Sequence, residues 1–322
     1  MRYRELRWLR EQPLRPAGRL RKRISVLPTL LTLGNLLCGF AALGYAAGVA
    51  PHVHGVVSEK YAVAGYLIFA AMFFDVLDGG IARLARATSN FGAELDSLAD
   101  MVSFGIVPAF LCLKIVSSLL SHGAAGPLEI VGPLGQSMLG RFFWIIAAIY
   151  VACTALRLAR FNTLNRRAIE EHMAFRGLPS PGAAGVIAAS VIFFEALQPG
   201  SPHILPFHVP PLVGVVMAGI FPYAMPIILL FTAILMVSRI SYGHLINQYL
   251  RGRRPFSYVV RAVLVGLLVL WQPQLTVLLG IYIYAFFPPA RALWRKLLHR
   301  NGADRAGGRN PLTSFETQAY DR

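Results

Sequence analysis

Long apolar runs constrain this chain more than any other feature. They fall at about 26–50, 61–80, 96–118, 142–160, 181–198, 212–238 and 257–290. A helix that crosses a bilayer needs about 20 such residues, and most of these runs supply that length. Only 14% of the residues are charged, whereas a soluble domain carries roughly 25%. With 56% hydrophobic residues, the composition also excludes a disordered chain. The expected fold class is therefore all-α, a polytopic integral membrane helical bundle.

The formal net charge of +16 has to sit outside the apolar runs, where it orients the chain. Basic residues gather in the arm 1–24, the 81–95 turn, the 157–177 and 239–256 loops and the tail from Arg291. The alternate connections, around 51–60, 121–140 and 199–211, offer little beyond Lys60 and Arg141. The positive-inside rule places the first set in the cytoplasm. With both termini cytoplasmic, the crossings must be even in number. The run 257–290 then reads as a helical hairpin broken at Gln272-Pro273-Gln274, for about eight transmembrane helices. One long helix is the alternative, and it would leave the basic tail outside.

The chain divides into a basic arm (1–24), a helical core (25–256), the hairpin (257–290) and a basic tail (291–322) expected to be disordered. The arm, with Trp8 and leucines between its arginines, suits an interfacial helix on anionic membrane lipids or serves as a topology signal. No nucleic-acid partner is expected. Pro28 lies near the start of the first run, where a helix tolerates proline. Cys38, Cys112 and Cys153 are far apart in apolar runs and read as small buried hydrophobes. Gly44 and Gly48 suggest close helix packing. His52 and His54 have no carboxylate beside them and read as loop residues. Glu195, near the outer end of its run, is expected to be solvated.

Most of the chemical information lies between residues 75 and 100. Asp75 and Asp78 are three residues apart, and Asp96 and Asp100 are four apart, so each pair shares a helix face. The turn Ala87-Thr88-Ser89-Asn90 is short enough to make the two helices antiparallel neighbours. Four carboxylates can then converge near the cytoplasmic surface. Carboxylates at membrane depth are expensive and repel one another, and Arg83 alone cannot neutralise them. Hard divalent cations such as Mg²⁺ or Mn²⁺ can, and such ions bridge phosphates. Gly79 and Gly92 leave room for a nucleotide against the backbone. A carboxylate-lined cation transporter is the competing class, but transporters place their acids nearer the midplane.

The run D-x2-D-G-x2-A-R-x8-G-x3-D-x3-D, from Asp75 to Asp100, resembles in full the signature of the CDP-alcohol phosphotransferase family. The resemblance implies an integral membrane enzyme, homodimeric in that family's manner, that moves a phosphatidyl-type group from a CDP-linked lipid to an alcohol. It implies Asp75, Asp78, Asp96 and Asp100 as metal ligands, with Asp100 doubling as base. Gly79, Ala82, Arg83, Ser89 and Gly92 would hold the CDP moiety. The continuation Ser103-Phe-Gly105-Ile-Val-Pro108, with Arg157-Leu-Ala-Arg160-Phe161-Asn162 and Phe175-Arg176-Gly177-Leu178-Pro179-Ser180-Pro181, is similar to the branch that uses CDP-diacylglycerol and L-serine. Glycerol phosphate, inositol phosphate and choline are the alternative acceptors. Asn35, Ser103, Arg157 and Arg160 are candidate contacts to the acceptor or a lipid phosphate. No histidine is followed by x-Lys, which a phosphohistidine route would need. The expected location is the inner or plasma membrane, with the site facing the cytoplasm.

If both termini are cytoplasmic, a reporter fused beyond Leu298 should read as cytoplasmic. An external signal would mean that 257–290 crosses once.

Overall fold

Apolar sequence becomes helix throughout the computed structural model, which describes residues 18–48, 60–85, 90–121, 137–167, 177–198, 211–240, 242 and 256–306. The elements are α1 (Gly18–Ala47), α2 (Lys60–Ala85), α3 (Asn90–Asp100), a π-helical turn (Met101–Ile106), α4 (Val107–Ser121), α5 (Met138–Arg167), α6 (Ser180–Ala196), α7 (Pro211–Val237), α8 (Phe256–Trp271) and α9 (Pro273–Ala306). Helices α3 and α4 form one continuous rod through the π turn. Six stretches are long and apolar enough to cross a membrane: Val26–Ala47, Lys60–Ile81, Phe91–Leu120, Met138–Thr163, Gly214–Val237 and Pro273–Ala292. The shorter α6 and α8 bring the described helices to eight.

Helix α6 is the centre of the bundle. Every residue in it except Pro181 and Phe193 is buried. Such all-round burial suits a helix with no polar stripe, here SPGAAGVIAASVIFFEA. Its small residues let neighbours approach closely. A Cβ on Gly65 of α2 would stand 2.8 Å from Ile192, and one on Gly185 would stand 3.3 Å from Ile281 of α9. Phe194 stacks on Phe221 of α7 at 4.0 Å, and Ser190 shares a 2.7 Å hydrogen bond with Tyr282 of α9. On the other side of the bundle, α1 packs along α2 and crosses the π turn where Gly39 meets Ser103. The π turn shifts the helical phase after Asp100, and the Tyr150 hydroxyl of α5 donates to the Phe104 carbonyl inside it at 3.0 Å.

Several expectations change. Pro28 lies well inside α1, because the helix already begins at Gly18. Among the described residues no helix packs on Gly44; a Cβ there meets nothing within 4 Å. It opens instead onto a cavity of about 310 Å³ lined by Ala41, Gly44, Tyr45, Gly48 and Lys60. The tail is helical as far as Ala306, since alanine, leucine, arginine and lysine after Arg291 continue the helix readily. His52, His54, Trp8 and residues 307–322 lie outside the described residues. The three cysteines are free.

Glu195 is the clearest correction, being 5% exposed rather than solvated. Its Oε2 accepts a hydrogen bond from the Ala62 amide at 2.9 Å. That amide is one of the first-turn donors of α2 that no intrahelical carbonyl can satisfy. A carboxylate there also complements the helix dipole. Glu195→Ala should therefore lower unfolding stability by about 1–3 kcal/mol, the cost of orphaning a buried donor. Thermal unfolding of the purified variant checks this, and a change below about 0.5 kcal/mol would match a solvated residue instead.

Candidate metal and nucleotide site

Three helices meet around the aspartates. Helix α2 carries Asp75 and Asp78 one turn apart near its C-terminal end, and α3 carries Asp96 and Asp100 one turn apart. Helix α1 lies against both and turns Thr32 and Asn35, three residues apart, toward them. The Thr32 hydroxyl donates to Asp78 Oδ2 at 2.8 Å, and Asn35 Nδ2 donates to Asp100 Oδ1 at 3.2 Å.

Asp75, Asp78 and Asp96 form a tight trio, with one carboxylate oxygen from each lying within 4.8 Å of the other two. Asp96 Oδ1 is buried and has no hydrogen-bond partner among the described residues. Three converging carboxylate oxygens, on residues one of which also carries a buried oxygen with no hydrogen-bond partner among the described residues, are a donor set that fits a hard divalent cation. Asp100 stands apart from the trio. It is 8% exposed, is held by Asn35, and still feels the charges of Asp75 and Asp96.

Among the described residues, the cation that interacts electrostatically with Asp100 and Asp75 is Arg157 of α5. Its Nη1 donates to Ser180 Oγ at 2.6 Å, which ties α5 to the start of α6. Arg160, three residues on, is exposed. Asn162 Nδ2 donates to Ser97 Oγ at 2.9 Å, fastening α5 to α3 beside Asp96. Ser103 is buried, and its hydroxyl donates to the Asn35 carbonyl at 3.1 Å, so it is committed to α1. Gly79 and Gly92 are partly exposed beside the aspartates. Ala82 and Arg83 fall on the last turns of α2, and Ser89 lies outside the described residues.

Two residues, Thr32 and Ser180, join the site without standing out in the sequence as site residues. For Thr32 a signal exists, because Thr32 and Asn35 are polar neighbours at helical spacing in an apolar run.

Comparison with known proteins bears on the same residues. The family model described as CDP-alcohol phosphatidyltransferase matches residues 25–218, more than half of the chain and all four aspartates. The chain belongs to this family. Curated relatives carry the name CDP-diacylglycerol–serine O-phosphatidyltransferase. The Mycobacterium tuberculosis protein is 34% identical over 188 residues, covering 56% of this chain and 55% of that protein. The Helicobacter pylori protein is 31% identical over 167 residues, covering 52% and 57%. The Bacillus subtilis protein is 32% identical over 162 residues, covering 50% and 72%. The chain thus spans little more than half the length of the mycobacterial relatives it matches.

For a member of this family, the trio predicts a graded response to substitution. Asp96→Asn should abolish binding of Mn²⁺ to the solubilised protein, as read by electron paramagnetic resonance. Thr32→Val should only weaken it, by about 10–100-fold, because Thr32 orients a ligand without being one. Unchanged Mn²⁺ affinity in Asp96→Asn would remove the trio as the site.

Proposed function

We propose that the protein transfers the phosphatidyl group of CDP-diacylglycerol to L-serine, giving phosphatidylserine and CMP, at the cytoplasmic face of the inner or plasma membrane. The observation that carries this reading is the division of labour among the aspartates. Three converge within 4.8 Å, and the fourth is held separately by Asn35. The names of the relatives support serine as the acceptor.

In this reading Asp75, Asp78 and Asp96 hold Mg²⁺ or Mn²⁺, with Asp100 at the edge of the same nest. The bound ion supplies positive charge against the pyrophosphate and the departing CMP. Gly79 and Gly92 let the cytidine nucleotide lie close to the backbone, and Ala82, Arg83 and Ser89 complete its binding. Asn35 orients Asp100 so that the carboxylate can take the proton of the acceptor hydroxyl. The hydroxyl oxygen forms a bond to the β-phosphorus as the bond from that phosphorus to the bridging oxygen breaks. The electron pair leaves with CMP in a single displacement. Arg157 offers a guanidinium to the anionic group of the acceptor, the geometry for which arginine is suited. Arg160, being exposed, is placed for a lipid phosphate. The unit 25–256 carries these residues, and the assembly is a homodimer in the membrane.

A serine hydroxyl is a poor nucleophile until its proton is removed, and a positioned base contributes about 10²–10⁴-fold. Asp100→Asn keeps the shape and removes the base. CDP-diacylglycerol binding should persist while serine transfer falls by at least about 10²-fold. Both are measured at saturating metal, with glycerol phosphate, inositol phosphate and choline as competing acceptors. Near-normal transfer would take Asp100 out of the mechanism, parallel loss of binding would make it a ligand alone, and turnover only with another alcohol would replace serine.

A further inference from the structure

Helix α3 does not pass into α4 as a plain α-helix. The π turn Met101–Ile106 begins immediately after Asp100, and the Val107 amide donates to the Val102 carbonyl, five residues back. In an α-helix the Phe104 carbonyl would accept from residue 108, but Pro108 has no N–H to give. Phe104 is fully buried, so its carbonyl needs a donor from inside the bundle.

Helix α5 supplies one. The Tyr150 hydroxyl donates to the Phe104 carbonyl at 3.0 Å, and Tyr150 is itself fully buried. Gly105 lets α5 come this close, since a Cβ there would stand 3.2 Å from Thr154 Cγ2. Phenylalanine at 150 would fill the same space, but it could not answer the carbonyl. From the other side α1 holds the same turn. The Ser103 hydroxyl donates to the Asn35 carbonyl at 3.1 Å, and a Cβ on Gly39 would overlap that hydroxyl. Asn35 Nδ2 in turn donates to Asp100 Oδ1 at 3.2 Å. One residue of α1 therefore grips both the carboxylate and the turn that follows it. The trio stands outside this arrangement, with Asp75 and Asp78 on α2 and Asp96 one turn earlier on α3.

We propose that Tyr150 is a positioning residue for the transfer step. Its hydroxyl stands in for the N–H that Pro108 lacks, fixes the π turn, and so sets where the Asp100 carboxylate stands relative to the trio. This rests on Asp100 as the base and adds the residue that holds the base in place.

Tyr150→Phe keeps the ring and removes the hydroxyl. In the full-length protein, amide hydrogen exchange across 101–107 should quicken. The kcat for serine transfer should fall about 10–100-fold, the scale of a misplaced catalytic group. Mn²⁺ affinity, read by electron paramagnetic resonance, and the KM for CDP-diacylglycerol should hold. Combined with Asp100→Asn, the change should lower transfer no further than Asp100→Asn alone, because Tyr150 acts through Asp100. Four results would each overturn the assignment: an unchanged kcat, a fall in kcat without quicker exchange, an equal loss of Mn²⁺ or CDP-diacylglycerol affinity, or effects that multiply in the double variant. If Tyr150→Phe does not fold, Ser103→Ala, which frees the same turn from α1, is read by the same criteria. Near-normal transfer in Asp100→Asn alone would overturn the base and this assignment together. A low Asp100→Asn beside a wild-type Tyr150→Phe would overturn this assignment only. Turnover with a different acceptor would replace serine, and the same measurements on that acceptor then decide Tyr150; turnover with none would overturn both readings.

Discussion

Mutual repulsion among carboxylates inside an apolar bundle governs how the rest of this molecule is arranged. Two charges 4.8 Å apart, the outer limit for the trio, repel by about 3–4 kcal/mol at an effective dielectric of ~20. The trio contains three such pairs, and Asp100 adds to them. Among the described residues, one guanidinium, from Arg157, and neutral donors from Thr32 and Asn35 stand against this. Neutral hydrogen bonds of about 1 kcal/mol each do not offset that repulsion. A divalent cation does, and the orphaned Asp96 oxygen is a ready ligand for it. The bundle thus concentrates negative charge that a divalent cation would neutralise.

Small residues make the geometry possible. Asp75 and Asp78 meet Asp96 because α1 can lie close to both carrier helices, with Gly34 against Phe74 and Gly39 against Ser103. Helix α6 is approached as closely, by α2 at Gly65 and by α9 at Gly182 and Gly185, where no side chain holds the neighbours away. The two halves of the site therefore rest on different helices. The metal end belongs to α1, α2 and α3. The Arg157 end belongs to α5, α6 and the α9 helix that packs on α6.

Much of this was legible in the sequence, for identifiable reasons. Apolar runs fix helices wherever they exceed the bilayer thickness, and aspartates three or four apart must share a face. Periodicity does not carry the identity of the partner. Glu195 reads as solvated because its run ends there, but its partner is the Ala62 amide, far away in sequence. Gly44 reads as a packing residue by spacing, but among the described residues no neighbouring helix reaches it. Ser103 sits one turn from Asp100 on a regular helix, whereas the π turn after Asp100 alters the phase and directs it to α1. Asn35 was visible as a polar residue in an apolar run, and only the fold pairs it with Asp100.

Metal binding by the trio is the central proposal. Anomalous scattering from Mn²⁺-soaked crystals of the full-length protein tests it most directly. The expected result is an anomalous peak among the carboxylates of Asp75, Asp78 and Asp96, within coordinating distance of each. Well-ordered aspartates with no peak between them, or a peak elsewhere in the bundle, would contradict it.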